Sequence, residues 1–105
     1  MNALHIHGLL MALTRDGYVE LPYWEEKNHF RFHYEDGMLV IFPDQGKGRP
    51  IHVGPGVFEA VCERYSSLPE DRRGTAEFSK NWPECPDAVA CPFVGRVIQF
   101  LETGV

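Results

Sequence analysis

The chain has 105 residues, of which 44% are hydrophobic, and its 10 basic against 15 acidic residues give a formal net charge of −5 at pH 7. These values predict one domain with its own core, and they argue against a protein that binds nucleic acid mainly through its overall field, because phosphate contacts need a basic footprint. No apolar run approaches the length of a membrane span, and residues 1–13 lack the basic start and cleavage site of a signal peptide.

An amphipathic helix is predicted first, over residues 3–14. Its apolar residues recur at the spacing of one helix face: Ile6, Leu9, Leu10 and Leu13. A short strand candidate follows over residues 18–24, in which Pro22 marks a sheet edge or a break. Tyr23 and Trp24 at its end are expected either to cover the core or to form a binding or subunit surface.

The strongest local signal is a β-hairpin around Asp36-Gly37, a dipeptide typical of a two-residue type I′ turn. This turn pairs Phe32 with Ile41 and His33 with Val40. Because side chains alternate between the faces of a strand, one face of the hairpin is predicted to be core. The residues of that face are Phe30, Phe32, Tyr34, Leu39 and Ile41.

The opposite face of the hairpin is mixed. It carries Arg31, His33, Glu35, Met38, Val40 and Phe42. A solvated sheet face is normally more polar than this, so the three large apolar side chains need a cover. Two alternatives remain open for that cover: a local loop or the first helix, or a second copy of the chain.

Beyond the hairpin, residues 44–50 are predicted to form a glycine-rich loop that lacks the Walker spacing, and residues 51–53 a short strand. The clearest helix covers residues 55–68, with an apolar stripe of Val57, Phe58, Val61, Cys62 and Tyr65. Residues 69–90 form a long segment of little periodicity, anchored by Phe78 and Trp82. A final helix over residues 91–104 is apolar around more than half of its circumference.

The candidate ligand or anion contacts are scattered along the chain: His33, Lys47, Arg49, Arg72, Arg73, Lys80 and Trp82. No motif of nucleophilic or metal-dependent catalysis is present, and no cofactor or metal is predicted.

Cys85 and Cys91 do not have the spacing of a zinc knuckle; a disulfide between them, or a zinc site with a distant histidine, is geometrically allowed. An odd number of cysteines without an export signal favours reduced thiols in the cytoplasm.

The order of these pieces resembles that of small uncharacterised bacterial domains, some carried on mobile gene cassettes of the integron type. The similar residues are Phe30, Phe32, Asp36-Gly37, Leu39-Val40-Ile41, Gly46-Lys47-Gly48-Arg49, Ile51, the helix from Val57 to Tyr65, and Pro92-Phe93-Val94. These motifs are structural, so the resemblance implies no catalytic residues. Some similar modules accompany DNA-acting proteins with winged-helix character.

We therefore predict a single α+β domain over residues 1–105, in the order α-β-β-β-α-α. Its small antiparallel sheet, of three to four strands, is covered by an N-terminal helix and two C-terminal helices. The expected function is that of a cytoplasmic, non-enzymatic binding or adaptor module that forms a homo-oligomer, most simply a dimer. The interface candidates are Tyr23, Trp24, Met38, Val40 and Phe42. The alternatives are a nucleic-acid-binding module that uses the basic residues, and a small enzyme whose pocket lies near His33, Trp82 and the 69–90 segment.

Overall fold

The computed structural model describes most of the chain: residues 3–24, 28–43, 49–73, 82, 85–87 and 89–104. Its elements are α1 (Ala3–Leu13), β1 (Val19–Pro22), β2 (His29–Glu35), β3 (Met38–Phe42), β4 (Ile51–Val53), α2 (Pro55–Ser67), a short 3₁₀ turn (Glu70–Arg72) and α3 (Ala90–Thr103). The predicted α+β class is confirmed. The predicted element order is short by one strand, because Val19–Pro22 pairs along its whole length with β2.

The four strands form one antiparallel sheet in the order β1-β2-β3-β4. The predicted hairpin register is confirmed, since Phe32 pairs with Ile41 and His33 with Val40. Asp36 and Gly37 have φ values of 52° and 78°, as a type I′ turn requires at both central positions. A local two-residue signal therefore determines which side chains share each face of the sheet.

The core lies between one face of the sheet, here called the inner face, and the three helices. Phe30, Phe32 and Ile41 on that face are at most 1% exposed. The helices contribute a second set of buried apolar side chains: Ile6, Leu10, Phe58, Val61, Cys62, Tyr65, Cys91, Val94, Val97 and Ile98. Leu13, predicted for the buried stripe of α1, is instead 39% exposed at the end of that helix.

β1 is an edge strand, one of the two outcomes expected from Pro22, because proline has no N–H to donate to a further strand. The carbonyl oxygen of Pro22 does have a partner, because Arg96 Nε on α3 donates a hydrogen bond of 2.9 Å to it. Arg96 is only 6% exposed, so this contact joins α3 to the sheet edge inside the protein. Within the described residues, no helix combines the length and apolar character needed to cross a membrane.

Candidate interaction face

The sheet surface that points away from the helices is here called the outer face. Strand alternation and the observed register assign eleven side chains to it: Tyr18, Glu20, Pro22, His29, Arg31, His33, Glu35, Met38, Val40, Phe42 and His52. α1 does not cover this face, because Ile6 and Leu10 belong to the core on the inner side. α2 and α3 also place their buried residues in that core.

An aromatic cluster occupies the centre of the outer face. The ring of Tyr18 meets those of His33 and Phe42 edge-on, at centroid distances of 4.9 and 5.1 Å. His33 and Phe42 stack nearly parallel, 5.8 Å apart at 19°. Arg31 places its guanidinium carbon 5.7 Å from the centre of the Tyr18 ring, within the range of a cation–π contact.

Packing within the outer face explains why its apolar side chains differ in exposure. Val40 is paired with His33 on one side and His52 on the other, and it is only 7% exposed. Tyr18 lies over this layer and is 57% exposed, while Met38 at the start of β3 is 37% exposed. The cluster is therefore ordered by its own members and still presents apolar surface.

The outer face carries charges of both signs. Glu20 pairs with Arg31 in the register, and Glu20 Oε2 lies 3.8 Å from His29 Nδ1. Both members of the second pair are well exposed, so this contact adds little stability. The arrangement places an acidic group and basic groups beside one apolar centre.

Tyr23 and Trp24, two of the interface candidates, lie in a different place. The ring of Tyr23 packs against that of Phe93 on α3, with a centroid distance of 4.9 Å. Trp24 Nε1 donates a hydrogen bond of 3.0 Å to Pro92 O. Both side chains are half-buried and cover the core, which is one of the two roles expected for them. The structure thus separates them from Met38, Val40 and Phe42.

The basic candidates do not form one patch with the others. Arg73 donates to Leu68 O and Ser66 O, both at 2.9 Å, and lies 3.6 Å from Glu102. Its guanidinium therefore closes the end of α2 against α3. Arg49 and Arg72 are exposed, and Lys47 and Lys80 lie outside the described residues.

Trp82 borders an open groove of about 470 Å³ on the surface of α2. Its other described lining residues are Ala60, Glu63, Arg64 and Ser67, and the Arg64 guanidinium carbon lies 5.8 Å from the Trp82 ring centre. The predicted grouping of His33 with Trp82 is wrong in this respect, because His33 belongs to the outer face. The described lining contains no histidine or cysteine, and no group of three potential metal ligands occurs among the described residues.

Tyr18 is the member of the aromatic cluster that sequence reasoning missed. It precedes β1, and its place opposite His33 follows from the pairing of Val19 with Phe32. That pairing joins segments on either side of residues 25–27 and has no turn signal like Asp36-Gly37, so the sequence offered only strand alternation as a guide.

No family model, curated protein or solved structure matches this chain, and the resemblance to integron-cassette domains stays a prediction.

Proposed function

We propose that the protein is a small non-enzymatic binding module that self-associates through the outer face of its sheet. The carrying observation is the aromatic cluster of Tyr18, His33 and Phe42, which is ordered and yet leaves Tyr18 57% exposed. Apolar side chains gathered on a face away from the helices are typical of an interaction surface. A cytoplasmic location belongs to the same proposal and is supported by the three free cysteines.

A second copy of the chain is the occupant we favour, because the outer face is complementary to itself. An isologous contact sets the same surface against itself, so the acidic Glu20 and the basic Arg31 of each copy are both available for pairing across it. Apolar groups at the centre with charges around them are also the usual arrangement of a protein interface. Tyr23 and Trp24 are not part of this surface.

The size of the outer face predicts that the dimer is weak. Four strands about 4.8 Å apart, with about five residues each at about 3.3 Å per residue, cover roughly 300 Å². Standard stable complexes bury about 800 Å² on each partner. We therefore expect a reversible dimer with a dissociation constant on the order of 100 µM.

The experiment is sedimentation equilibrium of the full chain from about 10 µM to about 1 mM, which spans that constant. Tyr18→Ser removes an exposed ring from the cluster, and we expect it to weaken association roughly tenfold. Met11→Ser is the matched control, because Met11 is 62% exposed but lies on α1, away from the sheet. We expect Met11→Ser to associate like the unmodified chain.

A single-chain mass over the whole concentration range contradicts the proposal. Equal weakening by both substitutions also contradicts it, since the contact would then not be specific to the outer face. Association lost only in Met11→Ser assigns the contact to α1. Amide chemical shifts that change with concentration along β2 and β3, and not along α1, are the expected independent sign.

The nucleic-acid alternative has less support, because Arg73 is engaged with Ser66, Leu68 and Glu102. It predicts retention on DNA or RNA that falls steeply with salt, and an absence of binding at low salt removes it. The enzyme alternative rests on the groove beside Trp82. There, Ser67 Oγ donates to Arg64 O at 2.7 Å, an arrangement that serves the helix end rather than a nucleophile.

A further inference from the structure

Cys85 and Cys91 lie on either side of the turn that leads into α3, and their sulfur atoms meet. The two Sγ atoms are 2.7 Å apart, and both residues are free cysteines. In a disulfide the sulfurs are about 2.05 Å apart, so a small side-chain movement is enough to join them. Cys91 is fully buried in the first turn of α3, whereas Cys85 is half-buried at the surface of the core.

Local hydrogen bonds place this pair of cysteines. Cys85 N donates to Trp82 O at 3.1 Å, and Cys91 N donates to Asp87 O at 3.0 Å. Asp87 Oδ1 also accepts from the N–H groups of Val89 and Ala90, both at 3.1 Å, and so caps the start of α3. These contacts hold the backbone on both sides of the pair, and none of them involves a sulfur atom.

We propose that Cys85 and Cys91 form a reversible dithiol–disulfide site that is oxidised by hydroperoxides. The thiolate of Cys85 attacks one peroxide oxygen, the O–O bond breaks, and water or an alcohol leaves once the other oxygen takes a proton. Cys91 Sγ then attacks the sulfenic sulfur of Cys85. The S–S bond forms, the S–O bond breaks, and the Cys91 proton leaves with the hydroxyl group as water. An added dithiol supplies the two electrons of the reverse step and is itself oxidised to a disulfide.

The two thiols have different roles because their exposure differs. Cys85 is the one that a peroxide in solution reaches first. Burial, followed by the hydrogen bond between the two thiols, raises the pKa of Cys91 to about 12, so at neutral pH Cys91 is a protonated thiol. Cys62 is the internal reference: it is buried in the α2 stripe, and burial raises its pKa to about 11.

The experiment uses the full chain and mass spectrometry after tryptic digestion. Cys85 and Cys91 fall in one tryptic peptide, residues 81–96, whereas Cys62 falls in residues 48–64. The folded protein is treated with hydrogen peroxide, unfolded in N-ethylmaleimide and digested. We expect peptide 81–96 to lose two hydrogens and carry no maleimide, while Cys62 is fully labelled. Dithiothreitol before the label restores both maleimides on peptide 81–96.

Two variants and one change of conditions separate this site from unspecific oxidation. Cys85→Ser abolishes the lighter peptide, and Cys62→Ala leaves it unchanged. In denaturant, where the sulfurs are no longer held together, we expect the disulfide to form at least roughly tenfold more slowly. No folded Cys91 variant is needed for the comparison of folded and denatured chains, because the mass of peptide 81–96 from the unmodified chain shows the state of both sulfurs.

Two results overturn the proposal. One is a peptide 81–96 in which Cys85 carries two or three oxygens while Cys91 is labelled, since Cys91 would then have failed to intercept the sulfenic acid. The other is an equal rate of disulfide formation in folded and denatured chains, since the fold would then contribute nothing.

Discussion

Tyr34 joins α1 to the sheet by two different groups. Its hydroxyl shares a hydrogen bond of 2.6 Å with His7 Nδ1, and its backbone N–H donates to Thr14 Oγ1 at 3.2 Å. Thr14 in turn donates to Leu10 O at 2.8 Å, at the end of α1. The His7 ring also packs against that of Phe58 on α2. Through His7, Tyr34 therefore links the hairpin to both α1 and α2.

Removal of the Tyr34 hydroxyl should therefore destabilise the protein although the ring remains. We expect Tyr34→Phe to lower the free energy of unfolding by about 1 kcal/mol, because His7 Nδ1 loses a partly buried partner. Tyr18→Phe is the control, since Tyr18 is 57% exposed. Urea unfolding followed by circular dichroism measures both variants. Equal, negligible changes would mean that the contact with His7 does not stabilise the fold.

Gly37 in the hairpin turn and Gly8 in α1 have opposite effects on stability: the turn needs a glycine, whereas the helix does not. Gly37 has a φ of 78° at the hairpin turn, a conformation that costs other residues energy. Gly8 lies in the middle of α1, where a Cβ would meet no atom within 4 Å. At Gly37 too a Cβ has room, its nearest neighbour being Tyr34 Oη at 4.0 Å, so only the backbone conformation distinguishes the two sites.

The two alanine variants should thus change stability in opposite directions. We expect Gly37→Ala to lower the free energy of unfolding by about 1 kcal/mol through strain in the turn. We expect Gly8→Ala to raise it by up to about 1 kcal/mol, because alanine loses less backbone entropy in a helix. Thermal and urea unfolding measure the pair. A stabilising Gly37→Ala would show that the turn has another conformation.

Across the whole molecule, alkaline pH should weaken the fold because several buried groups hold their protons more tightly when folded. Burial raises the pKa of Cys62 from 9.0 to about 11, and burial followed by the charge of Glu102 raises that of Tyr65 from 10.0 to about 12. Above pH 9.0 the unfolded chain releases the Cys62 proton first. The free energy of unfolding then falls as pH rises from about 9 to about 11, and the contribution is fully present below pH 9.0.

The contribution of Cys62 is measured by comparing the unmodified chain with Cys62→Ala in urea, with a reducing agent, from about pH 8 to about pH 10.5. The stability difference between them should narrow above about pH 9, by no more than about 1.4 kcal/mol per pH unit. Val61→Ala is the control, because it removes a buried side chain of α2 that does not titrate. Its difference from the unmodified chain should be independent of pH. Two parallel profiles would show that the Cys62 thiol has similar pKa values in the folded and unfolded chains.

The sequence alone was enough for the hairpin and for the approximate ends of the helices. Asp36-Gly37 determines the register of β2 and β3, and helical periodicity places α2 and α3 within one residue of their observed bounds. Both are short-range properties, decided by φ preferences and by side-chain spacing along one segment. The mixed composition of the outer face also follows from that register.

Only the tertiary structure decided what lies against each face and which distant residues meet. Trp24 Nε1 reaches Pro92 O, 68 residues away, and Arg96 Nε reaches Pro22 O, 74 residues away. All three helices pack on the inner face, which leaves the aromatic cluster of Tyr18, His33 and Phe42 on the outer face. The physical reason is that burial of apolar area is non-directional: periodicity shows which side of each segment is apolar, and only the packing of all segments together selects its partner.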